Sequence, residues 1–153
     1  MTIHEEKAVK FFKEGYNCSQ AVVLAFCDVT GLDAETSLKI SSSFGGGMGR
    51  MREVCGAVSG MFMVAGMLYG YTDPESASDK NGHYARIQKL ASEIKALYGS
   101  YICRDILKPI NPDTSPVSTE RTEEFYKLRP CERIVADAAR LMDKYIEENS
   151  QTA

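Results

Sequence analysis

Apolar residues recur at helical spacing over most of the chain, and the alternating pattern of a half-buried strand is nearly absent. In residues 5–14, for example, Ala8, Phe11 and Phe12 share one face while lysines and glutamates occupy the other. The same reasoning predicts further helices over 18–26, 34–44, 55–71, 74–107, 120–127 and 131–146, with a break near Gly82 in the longest one. We therefore expect an all-α fold, a single-domain bundle of about five to seven helices over residues 1–153.

The helix expected over 55–71 is apolar and glycine-rich, and Ser59 is its only strongly polar side chain. A bilayer span needs about 20 apolar residues. We therefore interpret this segment as the buried central helix of the bundle and not as a membrane span. Two other stretches are predicted to be loops. Residues 45–50 hold too many glycines to stay helical, and residues 109–119 contain three prolines.

Composition and charge narrow the class of protein. Hydrophobic residues make up 44% of the chain and the net charge is −3, which is typical of a globular domain. Positive side chains are mixed with negative ones, so nucleic acid is not an expected partner. The first residues lack the cationic start and apolar run of a signal peptide. Together with five cysteines, this predicts a cytoplasmic protein whose thiols stay reduced.

Familiar catalytic signatures are missing from the sequence. Neither HExxH nor GxSxG occurs, and both histidines, His4 and His83, are expected to face solvent. The glycine loop over 45–50 lacks the Gly-Lys-Ser/Thr ending of a phosphate-binding loop. The cysteines are therefore the main candidates for chemistry.

Three of the five cysteines are predicted to lie in the first turn of a helix. Cys18 follows Asn17, a good helix cap, Cys55 follows the glycine loop, and Cys131 follows Pro130. Unpaired backbone N–H groups and the positive end of the helix dipole favour an anion at such positions. The anion here would be a thiolate, which is the reactive form of cysteine.

Cys55 has the most favourable local sequence of these three. Arg50 and Arg52 lie just upstream and are expected to favour its thiolate, although Glu53 works against them. Gly56 and Gly60 leave room for another backbone or a reacting partner to come close. Glycines at this spacing also allow tight helix packing, and this is the interpretation we prefer for the glycines at 66 and 70.

The other two cysteines are predicted to be structural from their local context. Cys27 lies near the end of an apolar helix, without a cap or a glycine beside it, so a core position is expected. Cys103 falls late in the long helix expected over 74–107.

Five short segments of the chain occur together, in this order, in one known family. They are Asn17-Cys18-Ser19-Gln20-Ala21, Phe44-Gly45-Gly46-Gly47-Met48-Gly49, Cys55-Gly56-Ala57-Val58-Ser59-Gly60, Cys103-Arg104 and Arg129-Pro130-Cys131. The chain resembles, over about residues 11–147, a bacterial and archaeal family named for its C–CGAxxG–C–C cysteine pattern. The CGAxxG element after a glycine loop is the most specific part of this resemblance.

The resemblance implies a redox function carried by four cysteines. They correspond to Cys18, Cys55, Cys103 and Cys131, so Cys103 joins the candidates and Cys27 is left out. Members of the family are described as redox-active, are often encoded near transporter genes, and in some cases carry selenocysteine, which is rarely used for packing. The resemblance implies a thiol/disulfide protein or a membrane transporter as candidate partner, and it leaves a homo-oligomer open.

Three hypotheses remain open at this point. In the first, a thiol oxidoreductase without a cofactor, Cys55 attacks, Cys18 resolves, and Cys103 and Cys131 form a second pair. In the second, the four cysteines bind zinc or an iron–sulfur cluster, although gaps of 37, 48 and 28 residues lack the usual close pair. In the third, a structural or partner-binding helical protein, the thiols only pack.

Overall fold

The predicted all-α bundle is confirmed by a computed structural model, which describes residues 1–150. Its helices are α1 (Ile3–Lys13), α2 (Cys18–Ala25), α3 (Cys27–Thr30), α4 (Ala34–Ser41), α5 (Gly45–Met48), α6 (Gly56–Tyr69), α7 (Ala77–Tyr98), α8 (Cys103–Ile106), α9 (Glu123–Leu128) and α10 (Cys131–Ser150), with a 3-10 turn at Ser42–Phe44. Within the described chain, α1, α2, α4, α6, α7 and α10 have eight or more residues. This agrees with the expected five to seven helices.

Helix α6 is the buried centre of the bundle, as its apolar sequence predicts. Ala57, Val58, Met61 and Val64 are fully buried, because α2, α7 and α10 pack around this helix. Helix α1 lies against α2 and α10 and completes the bundle on that side. With 14 residues, α6 is about 21 Å long. Among residues 1–150, no helix combines the length and the apolar character that crossing a bilayer requires.

Reciprocal side-chain caps fix the starts of α1 and α2. Thr2 accepts a hydrogen bond from the N–H of Glu5, and the Glu5 carboxylate accepts one from the N–H of Thr2. Asn17 and Gln20 form the same pair at α2, at 2.8 and 3.2 Å. Such capping boxes satisfy N–H groups that the helix itself leaves unpaired. The predicted cap at Asn17 is confirmed, and it sets the position of Cys18, the next residue.

The expectation that His4 faces solvent is wrong. Its ring is buried and stacks on Phe26, with the ring centroids 4.2 Å apart. Its two nitrogens lie 2.6 Å from a carboxylate oxygen of Asp143 and 3.0 Å from one of Asp28. Because these carboxylates belong to α10 and α3, His4 anchors the first helix to two distant segments.

The long helix expected over 74–107 ends earlier than its sequence suggested. Helix α7 runs through Gly82 without a break and stops at Tyr98. It stops there because Gly99 takes a left-handed conformation, with φ of 82°, which is typical of a helix C-terminus. Cys103 therefore does not lie late in a helix, and instead it is the first residue of α8.

Helices α2 and α6 approach closely because α6 has no side chain at Gly60. A Cβ atom at this position would lie 2.9 Å from the carbonyl oxygen of Ser19 and 3.1 Å from the Cβ of Val22. Gly66 is different, since a Cβ there would have no other atom within 4 Å. The expectation that Gly66 serves tight packing is therefore wrong, whereas Gly60 does serve it.

These two glycines give a matched test of the packing. Replacing Gly60 with alanine is expected to lower the free energy of unfolding by about 1–3 kcal/mol, because the backbone of α2 has to move. Replacing Gly66 with alanine is expected to raise it by about 0.5–1 kcal/mol, since only the flexibility of glycine is lost. Urea denaturation of both variants measures the difference. Equal effects of the two substitutions would contradict this account of the helix contact.

Candidate functional site

Four cysteines from distant parts of the chain line one cavity of about 520 Å³. They are Cys18, Cys55, Cys103 and Cys131, the set that the family resemblance implied. Each lies at the start of a helix. Cys18, Cys103 and Cys131 are the first residues of α2, α8 and α10, and Cys55 directly precedes α6. All of them are free thiols in the structure.

The sulfur of Cys18 packs directly on the backbone of Gly56. A Cβ atom at Gly56 would overlap this sulfur, so only glycine fits there. Since Gly56 follows Cys55, the contact brings two of the four cysteines together. The side-chain amide of Asn17 also donates to the carbonyl of Ser42 at 3.1 Å, which ties the start of α2 to the segment that leads into the glycine loop.

A short backbone pairing brings Cys103 to the same place. The Cys55 N–H donates to the carbonyl of Tyr101 at 2.9 Å, and the Cys103 N–H donates to the carbonyl of Glu53 at 2.6 Å. These bonds form one isolated antiparallel bridge. The two cysteines, 48 residues apart in sequence, are therefore held on adjoining segments.

The glycine loop turns through a run of left-handed residues, as expected of a segment that cannot stay helical. Gly46 and Gly47 have φ of 67° and 72° inside α5, and a Cβ at Gly47 would lie 2.6 Å from the Cβ of Cys103. Arg50 and Arg52 follow with φ of 70° and 62°, a conformation that is costly for residues other than glycine. Both arginines line the cavity.

Cys27 lies apart from this group. It begins α3, is half-buried, and its sulfur is 3.2 Å from the hydroxyl oxygen of Ser37. It does not line the cavity. The expected core position of Cys27 is therefore wrong, because the side chain is only half-buried and its thiol contacts the hydroxyl of Ser37.

Burial raises the pKa of three cavity thiols. Cys55 and Cys103 are only 8% and 7% exposed, and the loss of water raises the pKa of both. A negative charge on Cys18 or Cys131 would raise the pKa of Cys55 further. The pKa of Cys131 rises to about 12, chiefly through burial and then through Cys18.

The predicted thiolates at helix starts are thus wrong for Cys55 and Cys131. A helix N-terminus stabilises an anion only modestly, whereas burial disfavours the charged form by several pKa units. In the folded, reduced protein these two thiols, together with Cys103, are neutral at neutral pH.

The arginines upstream of Cys55 do not act on it as the sequence suggested. Arg52 is directed toward Cys103, with Nη1 3.9 Å from the sulfur, and it lowers the pKa of Cys103 against the larger effect of burial. Arg50 instead donates to the carbonyl of Ser115 at 2.7 Å and to the hydroxyl of Thr119 at 2.8 Å. Arg50 therefore fastens the proline-rich loop over the cavity.

Four arginines in the cavity wall were missed as a group by sequence reasoning. They are Arg50, Arg52, Arg121 and Arg129. Arg129 carried a signal, since it belongs to the Arg129-Pro130-Cys131 segment. Arg121 carried none, because it reaches the cavity from the polar stretch before α9 and donates to the carbonyls of Phe12 and Tyr16.

The described chain contains no set of side chains arranged to bind a metal ion. Among residues 1–150, no three His, Cys, Asp or Glu side chains are arranged to hold one metal ion. Structural zinc and iron–sulfur clusters each need about four such ligands around one centre. The four cysteines share a cavity wall, but they do not fit a common ion.

Comparison with known families agrees with this geometry. A family model described as "Putative redox-active protein (C_GCAxxG_C_C)" matches residues 16–145, a range that holds all four cavity cysteines. The chain belongs to this family. No curated protein and no solved structure matches the chain.

The motif of the C_GCAxxG_C_C family has a physical explanation in this member. The element Cys55-Gly56-Ala57-Val58-Ser59-Gly60 places a thiol at a helix start and two glycines on the side that faces α2. The first glycine admits the sulfur of Cys18, and the second admits the backbone of α2. The spacing therefore serves both the packing of the bundle and the meeting of two thiols.

The raised thiol pKa values predict that the reduced protein loses stability in alkali. Above the ordinary thiol pKa of 9.0, the unfolded chain releases thiol protons that the folded chain retains, so the free energy of unfolding falls as pH rises. For Cys131 alone the loss between pH 8 and pH 10 is expected to be about 1 kcal/mol. Urea denaturation under a reductant, for wild type and Cys131→Ser, measures it. An identical pH dependence in both proteins would contradict a raised pKa at Cys131.

Proposed function

We propose that this protein carries out thiol–disulfide exchange, cycling between a reduced form with free cavity thiols and an oxidised form in which those cysteines pair. The observation that carries the proposal is the convergence of four separate helix starts, each bearing a cysteine, on one cavity. If the cysteines served packing alone, we would not expect four of the five to converge on one cavity. Membership of a family described as redox-active supports the same chemistry.

Cys18 is the better candidate for first attack. The sequence favoured Cys55 for this role, but Cys55 is buried and its pKa is held well above the usual range. Cys18 is partly exposed and lies against the residue that follows Cys55. A partly exposed sulfur can reach a partner disulfide, whereas a buried one is suited to resolving the bond that forms.

The exchange balances in two steps. The Cys18 thiol gives up its proton, its sulfur attacks one sulfur of the partner disulfide, and the other partner sulfur leaves as a thiolate that takes a proton. The Cys55 sulfur, losing its own proton, then attacks Cys18 and releases the second partner sulfur as a thiol. Two electrons pass from protein to partner, and the protein is left with a Cys18–Cys55 disulfide.

Cys103 and Cys131 form the proposed second pair. Charge on Cys103 contributes to the raised pKa of Cys131, and charge on Cys18 contributes to the raised pKa of both. Because a charge on Cys18 raises the pKa of the other three cavity thiols, we infer that Cys18 lies near enough to pass a disulfide from the first pair to the second. The partner that this chemistry requires is a disulfide-bearing protein or small molecule, and the cytoplasmic location predicted from the sequence would keep the resting thiols reduced.

Mild oxidation is expected to remove two or four hydrogen atoms per chain, as one or two internal disulfides form. Intact-mass spectrometry measures the loss, and peptide mapping locates the bonds. We expect bonds only among Cys18, Cys55, Cys103 and Cys131. The control is Cys27→Ser, which should oxidise as the wild type does. If the cavity thiols stay reduced while Cys27 reacts, thiol–disulfide exchange is not the function.

The order of attack predicts which variant traps a mixed disulfide. With a small disulfide as oxidant, Cys55→Ser should accumulate an adduct on Cys18, because the thiol proposed to resolve it is missing. Cys18→Ser should form little adduct, since Cys55 and Cys103 are buried and the pKa of the partly exposed Cys131 is raised to about 12. Each variant differs from the wild type by one cysteine-to-serine substitution. Mass spectrometry after acid quenching counts the adducts. An adduct on Cys55 in the Cys18→Ser protein, formed at the wild-type rate, would reverse the assignment.

A further inference from the structure

The wall of the cysteine cavity carries positive charge without matching negative charge. Four arginines line it, and no aspartate or glutamate of the described chain does. Two of these arginines are engaged elsewhere. Arg50 pairs with Asp113 at 3.2 Å and holds the proline-rich loop, and Arg121 donates to backbone carbonyls. The remaining two, Arg52 and Arg129, have hydrogen-bonding capacity left over.

Arg52 is a buried cation with an unused donor. Its side chain is almost sealed, since the residue is 3% exposed. Nε donates to the carbonyl of Asp113 at 3.0 Å and Nη1 lies 3.9 Å from the sulfur of Cys103, but Nη2 has no partner in the described chain. A buried charge without a counter-ion is strongly unfavourable. The neutral thiol of Cys103 does not supply that counter-ion, because burial keeps its pKa raised.

Arg129 lines the same cavity as Arg52 and is also without a carboxylate partner in the described chain. Its guanidinium stacks over the ring of Phe125, 4.7 Å from the centroid, and no described residue accepts a hydrogen bond from it. Its pKa is lowered by burial first, and the charges of Arg52 and Arg50 also lower it. Two like charges near each other in a half-closed cavity favour an anion between them.

The backbone at Arg52 strengthens this reasoning. Its φ of 62° lies in the left-handed region, which costs a residue other than glycine about 1 kcal/mol or more. A glycine would avoid that cost but would carry no guanidinium. Strained backbone of this kind tends to occur where a side chain has to be held in one place for function.

We propose that Arg52 and Arg129 bind the carboxylate of an anionic small-molecule disulfide and so hold its sulfur atoms beside the cavity thiols. This inference rests on the proposed thiol–disulfide exchange and names the substrate class for it. The paired N–H groups of a guanidinium match the two oxygens of a carboxylate. The reaction balances as above, since two protein thiols become one disulfide and the bound disulfide leaves as two thiols.

Three small disulfides that differ in charge test the proposal. Dithiodiglycolate carries two carboxylates, bis(2-hydroxyethyl) disulfide is neutral, and cystamine carries two ammonium groups. For each disulfide, the rate at which it oxidises the reduced protein is divided by the rate at which it oxidises dithiothreitol, an uncharged dithiol. This ratio removes differences in the intrinsic reactivity of the three disulfides. We expect the wild type to prefer dithiodiglycolate over the neutral disulfide by roughly tenfold or more, as for one charge-assisted hydrogen-bonded pair. Cystamine should be the slowest.

Matched arginine variants separate binding from folding. Arg52→Gln and Arg129→Gln should each lose most of the preference for dithiodiglycolate, measured as the ratio of the normalised rate with dithiodiglycolate to that with the neutral disulfide. Arg140→Gln removes the same charge from α10, outside the cavity, and should behave as the wild type. If Arg52→Gln fails to fold by circular dichroism, Arg129→Gln and Arg52→Lys, which keeps the charge but loses the planar fork, carry the test.

A binding measurement makes the outcomes distinguishable. Thiodiglycolate, an unreactive thioether with the same two carboxylates, should raise the melting temperature of the wild type and of Arg140→Gln but not of Arg129→Gln. Oxidation at equal normalised rates by all three disulfides, with no thiodiglycolate effect, overturns the anion site and leaves thiol exchange standing. If no disulfide oxidises the protein but thiodiglycolate still stabilises it, thiol exchange with small disulfides fails and the anion site alone survives.

Discussion

The close approach of two helix starts is the constraint on which the rest of the molecule depends. The sulfur of Cys18, on the first residue of α2, lies against the backbone of Gly56, on the first residue of α6, and no side chain would fit between them. One turn further along, the carbonyl of Ser19 lies over Gly60. Since α6 is the buried centre of the bundle, the same contact that packs the core also brings Cys18 beside Cys55.

The electrostatics of the cavity follow from this packing. Helix starts and arginines both favour negative charge, yet burial raises the pKa of Cys55, Cys103 and Cys131. Desolvation is the larger effect, so the resting thiols are neutral while the surrounding wall stays positive. The cavity therefore holds neutral thiols beside the guanidinium groups of Arg52 and Arg129.

Much of the fold was predictable because the signals that set it are local. The cap at Asn17 and the glycine that ends α7 act within one turn of the helix they delimit, although the latter was missed when the long helix was extended past it. The apolar sequence of α6 predicted its burial directly. Sequence periodicity also predicted the start of α10 at Cys131.

The site was harder to predict, because it depends on contacts between distant segments. Cys103 reaches the cavity through an antiparallel bridge to residues 48 positions away, which no local pattern reveals, and only the family resemblance selected it. His4 is buried because Asp28 and Asp143 meet it from two other helices. The direction of Arg52 depends on a left-handed backbone that its residue type does not suggest.

We propose that four thiols share one redox site and that Cys27 lies outside it. Carbon-13 NMR of cysteine Cβ atoms tests it most directly, because this chemical shift distinguishes a thiol from a disulfide at each residue. On oxidation with equilibrated dithiothreitol buffers, we predict that the signals of Cys18, Cys55, Cys103 and Cys131 move to disulfide values while that of Cys27 stays in place. Four unchanged signals from the cavity, or a disulfide that includes Cys27, would contradict the account.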